Sequence, residues 1–150
     1  MRRIAASALC LLAALLAGCV KTVSPARTFD AYEHKAKNTA EAVLSSVETA
    51  RLTARLASRG DTFGPFTSVS ISEAEEGAGH AQTIFESVQP PDRHADRLRD
   101  ELSRLCTRAG DVLSDLRITA RRGELDRLAE RARPLRHIAR RLDAFIREHE

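Results

Sequence analysis

Aromatic side chains are scarce in this sequence. Its 150 residues include no tryptophan, one tyrosine and five phenylalanines. Because aromatic residues normally supply a large part of a buried core, we expect a core built from aliphatic side chains instead. The length suits a single domain with one such core.

Motifs that would indicate catalysis or a tightly bound metal are also missing. No glutamate is followed by a histidine three residues later, which is the spacing that di-iron helical bundles need. The sequence contains no His-Glu-x-x-His motif, no closely spaced pair of cysteines and no glycine-rich phosphate loop. We therefore predict a protein that is not an enzyme and that carries no cofactor.

The first residues have the order of a secretory signal peptide. Arg2 and Arg3 precede an apolar run over residues 4–17, which only Ser7 and Cys10 interrupt. As a helix this run would extend for about 21 Å, which is short of the roughly 30 Å hydrocarbon core of a bilayer. We therefore expect the run to be removed by cleavage rather than to remain as a membrane span.

The run ends in Leu16-Ala17-Gly18-Cys19, which resembles the lipobox of bacterial lipoproteins. The resemblance implies a signal peptide over residues 1–18, cleavage between Gly18 and Cys19, and acyl chains such as palmitate on Cys19. It also implies a lipid-anchored protein on the extracytoplasmic face of the cell membrane, since two or three acyl chains hold a protein stably on a bilayer. The alternatives are an ordinary signal peptide, or an uncleaved helix with a chance cysteine.

The mature chain would be nearly neutral and poor in cysteine. The whole chain has 24 basic and 21 acidic residues, so that loss of Arg2 and Arg3 leaves 22 against 21, a net charge of +1. This balance does not indicate nucleic-acid binding. With Cys10 removed and Cys19 acylated, Cys106 has no partner for an intramolecular disulfide. Its position beside an apolar stripe favours a buried, unreactive thiol over a reactive one.

Helical periodicity dominates the rest of the chain. Residues 19–28, with Pro25 and no hydrophobic period, are predicted to form the acylated N-terminus and a short tether. After them, apolar residues recur three and four positions apart, which predicts an all-α fold over residues 29–149, an antiparallel up-down four-helix bundle. The predicted helices cover residues 29–59, 70–88, 92–122 and 124–148.

Glycine and proline mark the predicted breaks between these helices. Residues 60–69 contain two glycines and a proline, which predicts a loop. Phe63 and Phe66 in this loop are expected to fold back and close the end of the bundle, the alternative being an exposed recognition tip. The apolar stripe changes phase at Gly123, which predicts a tight turn there, and Pro134 should bend the last helix.

Charge is unevenly distributed along the chain. Residues 60–92 carry six acidic and no basic residues, whereas residues 117–141 carry nine arginines and three acidic residues. We expect the acidic second helix to lie beside the basic fourth helix. Alternatively, part of the basic surface binds anionic headgroups or cell-envelope phosphates. The candidates for that surface are Arg117, Arg121, Arg122, Arg133, Arg136 and Arg140.

Four residues are candidate metal ligands. Glu76 and His80 share a helix face at i, i+4, and His94 and Asp96 lie close together further along the chain. The glycines around the first pair soften its helix, and the spacing of two places the second pair on different sides of a helix. Both features argue against a metal site.

Two functional hypotheses from different classes follow. We prefer a membrane-anchored lipoprotein whose helical domain is a non-enzymatic binding or interaction module for an envelope protein or an anionic envelope component. The alternative is a ligand- or metal-binding lipoprotein with a site between helices; a coiled-coil oligomer is a third possibility. In composition and layout the domain is similar to small alanine- and arginine-rich helical lipoproteins of GC-rich bacteria, and this similarity implies no functional residues.

Overall fold

The structure is a computed structural model that describes residues 26–149. The predicted signal peptide, the four residues Leu16, Ala17, Gly18 and Cys19, and most of the predicted tether therefore lie outside the described residues.

The described residues form an all-α structure, as predicted, with five α-helices and no β-strand. A single 3₁₀ turn over Leu125–Arg127 precedes the fourth helix. Within residues 26–149 no helix is both long and apolar enough to cross a membrane. The helices are α1 (Phe29–Ser58), α2 (Gly64–Glu86), α3 (Arg93–Arg121), α4 (Leu128–Arg131) and α5 (Arg133–Glu148).

The helices share one hydrophobic core, and it is mainly aliphatic. The side of α1 that faces this core is built largely from alanine, so neighbouring helices approach it closely, while α3 and α5 supply buried leucines. Each fully buried leucine contributes about 1.5–3 kcal/mol. The buried alanines of α1 are Ala36, Ala40, Ala50, Ala54 and Ala57.

The core begins before the first helix. Ala26 is buried against it, so the described end of the predicted tether is already part of the folded domain. Thr28 caps α1 by accepting a hydrogen bond on its Oγ1 from the Ala31 N–H at 3.3 Å. Gly60 follows the helix with φ +78°, a conformation that glycine adopts without strain.

The second helix begins six residues earlier than predicted, and the predicted loop over residues 60–69 is wrong over residues 64–69. α2 starts at Gly64 with Pro65 in its first turn, where the missing proline N–H would have no partner inside the helix. Phe63 and Phe66 are 68% and 49% exposed, so the expectation that they close the end of the bundle is also wrong. Thr67 is the buried residue of this first turn instead, and its hydroxyl donates to the Phe63 carbonyl at 3.1 Å.

The ends of α3 follow the sequence pattern. Asp92 accepts hydrogen bonds on one carboxylate oxygen from the N–H groups of His94 and Ala95, at 2.8 and 2.9 Å. This N-cap satisfies two of the backbone donors that a helix start leaves free. At the other end Gly123 has φ +74°, which gives the tight turn that the phase change predicts.

The predicted fourth helix, over residues 124–148, is divided. The 3₁₀ turn and the one-turn helix α4 come first, and the helix is then interrupted at Ala132 before α5 begins. Pro134 explains the break, because its ring removes a backbone donor and clashes with the carbonyl one turn earlier. The predicted bend is therefore an interruption two residues before the proline.

Packing between helices is uneven. α1 packs extensively against α2, α3 and α5, whereas α2 packs against α1 and α3 and has no comparable contact with α4 or α5. The expectation that the acidic second helix lies beside the basic fourth one is therefore wrong. Glu75 of α2 instead forms an ion pair with Arg117 of α3.

Candidate anion-binding site

Four arginines line one solvent-open pocket between α1 and α5. Arg51 and Arg55 come from α1, and Arg133 and Arg136 come from the first turn of α5. Their spacings of four and three residues place each pair on one face of its helix. Ala129 and Ala132 complete the lining of a volume of about 220 Å³. We call this site the arginine pocket.

The position of the pocket follows from the edges of the apolar stripes. Arg51 and Arg55 each follow a buried alanine of the α1 stripe, and Arg136 follows the buried Leu135 of α5. A residue next to a core position points along the boundary between core and solvent. When the two stripes face each other, their flanking arginines meet at that boundary.

Charge in the pocket is only partly balanced. Arg51 forms an ion pair with Glu48, one turn earlier on α1. Within residues 26–149, no carboxylate lies within 4.0 Å of the guanidinium groups of Arg55, Arg133 or Arg136. The pocket therefore concentrates positive charge that the described part of the chain does not neutralise.

The groove next to the pocket is different in charge. It shares Arg51 and Arg136 with the pocket and continues along α1 and α5 past Arg140. Two carboxylates, those of Glu48 and Asp143, also line it. Arg140 thus lies in a groove of mixed charge.

The structure divides the arginines that the sequence grouped together. Arg117 is half-buried and engaged by Glu75. Arg121 and Arg122 are exposed at the end of α3, close to the turn at Gly123. Two of the six candidates, Arg133 and Arg136, come together in the arginine pocket, and Arg140 lies beside it.

Arg51 and Arg55 are the members of this site that the sequence analysis missed. Their i, i+4 spacing beside the alanine stripe was visible in the sequence. The local sequence does not show which helix lies opposite these two arginines, since that depends on how the helices pack.

The candidate metal ligands remain scattered. Glu76 and His80 are exposed on α2, and Asp96 is exposed on α3. The His94 ring packs edge-on against the Phe29 ring, with centroids 4.4 Å apart. In the described part of the chain no three His, Cys, Asp or Glu side chains are grouped so that they could hold a metal ion.

Two buried ionisable groups lie away from the pocket. Cys106 is buried, as predicted, and burial, followed by the charge of Glu86, raises the pKa of its thiol to about 12. The thiol is therefore protonated at neutral pH and is a poor nucleophile. The Tyr32 hydroxyl is buried and has no hydrogen-bond partner among the described residues. Burial raises the pKa of Tyr32, with a partly opposing effect of the nearby positive charge of Arg99.

Comparisons with protein-family models, with curated proteins and with solved structures find no match for this chain.

Proposed function

We propose that this protein is a membrane-anchored extracytoplasmic lipoprotein whose helical domain is a non-enzymatic binding module at the cell envelope. The observation that carries the proposal is the order of features at the N-terminus: two arginines, an apolar run of fourteen residues that ends in Ala17, then Gly18 and Cys19. A thiol at that point is the group that a lipoprotein pathway would acylate, and acyl chains would hold the domain on the membrane.

The proposed architecture is an antiparallel up-down bundle of four rods, with α4 and α5 together as the fourth rod. Short connections between successive helices favour antiparallel neighbours. The extensive α1–α2, α2–α3 and α1–α5 contacts agree with that order. The further contact between α1 and α3, which would be diagonal in a square bundle, is explained by the alanine side of α1, because small side chains let the two helices approach.

The proposed anchor would hold the domain close to the bilayer. Ala26 already packs on the core, so that only residues 20–25 remain between the acylated cysteine and the folded domain. Six residues span at most about 20 Å. A binding site on this domain would therefore face partners at or near the membrane surface.

The binding role is supported by the charge of the arginine pocket. Unpaired arginines from two helices favour an anionic partner, which agrees with the anionic envelope component that the sequence suggests. The metal-handling alternative has no comparable support, because Glu76, His80, His94 and Asp96 do not assemble into one site.

Replacement of Cys19 tests the anchor. In a Cys19→Ser variant we expect either an unprocessed precursor or release of the protein from the membrane fraction, measured by fractionation and intact mass. Cys10→Ser is the matched control, since it changes a cysteine inside the apolar run and should leave processing and membrane attachment unchanged. A Cys19→Ser protein that is cleaved at the same bond and still membrane-bound would contradict the proposal.

A further inference from the structure

We infer that the arginine pocket is a binding site for a phosphate group. The inference deepens the proposed envelope-binding role and rests on it for its biological setting, whereas the pocket itself needs no lipid anchor. Its basis is the convergence of Arg51, Arg55, Arg133 and Arg136 from two helices onto one small volume.

The donor set matches phosphate chemistry. A guanidinium is planar and always charged, and it presents paired N–H donors that fit two oxygens of one phosphate. Like charges that share a pocket repel each other, and Glu48 compensates only Arg51. An anion with two or more negative charges would relieve the repulsion among Arg55, Arg133 and Arg136.

The size of the pocket limits the part of the ligand that it holds. Its volume of about 220 Å³ is below the roughly 300–1,000 Å³ typical of sites for drug-sized molecules. The two alanines of the lining, Ala129 and Ala132, add no bulk and no negative charge. The pocket therefore suits one phosphate or diphosphate group, and the rest of a larger ligand would extend into solvent or along the groove past Arg140.

The position of the pocket leaves two sources for that phosphate. Arg51 and Arg55 lie about 24 residues after the start of α1, which places the pocket roughly 36 Å along the helix from its N-terminal end. A domain that stands upright on its anchor would offer the pocket to phosphate compounds away from the bilayer. A domain that lies flat would offer it to phospholipid headgroups.

The experiment uses the full chain in a non-ionic detergent, with inorganic pyrophosphate as the first probe and calorimetry as the measurement. We expect saturable binding, and we expect Arg133→Gln/Arg136→Gln to weaken it at least tenfold. The matched control is Arg121→Gln/Arg122→Gln, which removes the same charge from exposed arginines outside the pocket and should change affinity less than twofold. Thermal melts of the ligand-free proteins check that both variants fold.

A second arm replaces pyrophosphate with vesicles of phosphatidylglycerol, compared with vesicles of phosphatidylcholine. Loss of binding that is specific to the pocket variant, in either arm, supports the inference and identifies the source of the phosphate. Equal losses in the two variants, or no saturable binding in either arm, would overturn it. The anchor is tested separately by the Cys19→Ser fractionation, so failure of one proposal is distinguishable from failure of the other.

Discussion

Ser58, at the end of α1, joins two parts of the chain that are far apart in sequence. Its Oγ accepts a hydrogen bond from the Ala129 N–H at 2.9 Å. Its hydroxyl proton is shared between two acceptors, the Ala54 carbonyl at 2.8 Å and the Leu125 carbonyl at 3.0 Å. This one side chain therefore attaches the irregular segment before α5 to α1.

Removal of the Ser58 hydroxyl should destabilise the protein. We expect Ser58→Ala to lower the free energy of unfolding by about 1 kcal/mol, because a hydrogen-bonded hydroxyl of this kind contributes about that much. Urea titration measures the change. Thr49→Ala is the control: its hydroxyl bonds only to the Ser45 carbonyl one turn earlier on the exposed side of α1, and the expected change is within about 0.5 kcal/mol. Equal losses in both variants would contradict the role assigned to Ser58.

Local sequence shows the chemistry of a residue but not its partner. Asp92 directly precedes α3, so a negative charge at the start of that helix is visible in the sequence. The backbone N–H groups that it caps belong to the residues that follow at once, His94 and Ala95. Glu75 and Arg117, which form an ion pair, lie 42 positions apart, and the local sequence of the acidic helix did not identify α3 as its neighbour. For the same reason, only Arg133 and Arg136 of the four arginines in the arginine pocket were predicted from the sequence.

Among the elements, α2 has two glycines near its centre, where glycine is a poorer helix former than alanine. Two of its glycines lie within one turn of each other, and they have different surroundings. A Cβ added at Gly77 would lie 3.1 Å from the Ser46 Oγ of α1, whereas a Cβ at Gly79 would meet nothing within 4 Å. Gly77 therefore permits the close approach of α1 and α2, and Gly79 does not serve that purpose.

This difference gives a prediction for α2. Gly79→Ala should raise the free energy of unfolding by up to about 1 kcal/mol, because alanine is the better helix former by that amount. Gly77→Ala should gain less, since the Ser46 hydroxyl must move to make room. Thermal or urea unfolding of the two variants makes the comparison, and an equal gain at both positions would show that helix packing does not constrain Gly77.

The boundaries of the elements show where periodicity is an incomplete guide. Gly64 and Pro65 resemble helix breakers in a sequence, yet proline is also suited to a first helical turn, and α2 begins with them. Pro134 likewise lies in the first turn of α5, but α4 had already started before it, so this proline also interrupts a helix. Both prolines thus lie in a first helical turn, and whether the residue also divides a helix depends on what precedes it.

At the scale of the whole molecule, two buried groups link stability to pH. Burial raises the pKa of Cys106 from 9.0 to about 12 and raises the pKa of Tyr32 above 10.0. In the unfolded chain these groups lose their protons first, so above about pH 9 the unfolded state binds fewer protons than the folded state. By linkage, the stabilising effect of Cys106 is complete below pH 9 and is lost as the pH rises towards 12, whereas that of Tyr32 is complete below pH 10 and is lost above it.

We therefore expect the urea midpoint to fall as the pH is raised from 8 to 11, with a free-energy loss of up to about 1.4 kcal/mol per pH unit for each group that titrates. Cys106→Ala should flatten the dependence just above pH 9, and Tyr32→Phe should flatten it above pH 10. An unchanged slope in Cys106→Ala would show that the thiol does not titrate differently in the two states.

The layout of the domain also separates the proposed lipid anchor from the proposed binding site. The predicted anchor precedes the N-terminal end of α1, and the arginine pocket lies towards its C-terminal end. The exposed Phe63 and Phe66 also follow that C-terminal end. An extended helix of 30 residues thus connects the proposed attachment point with the proposed binding point.

The sequence by itself determined the all-α class, the aliphatic core and the turn at Gly123. These features depend on residues within one or two helical turns of each other, and local periodicity and backbone chemistry suffice to predict them. Only the tertiary structure decided that α2 lies against α3 rather than α5, and that Arg51 and Arg55 share a pocket with Arg133 and Arg136. Those contacts depend on which helix faces bury each other, and the core that selects them is formed by the whole chain at once.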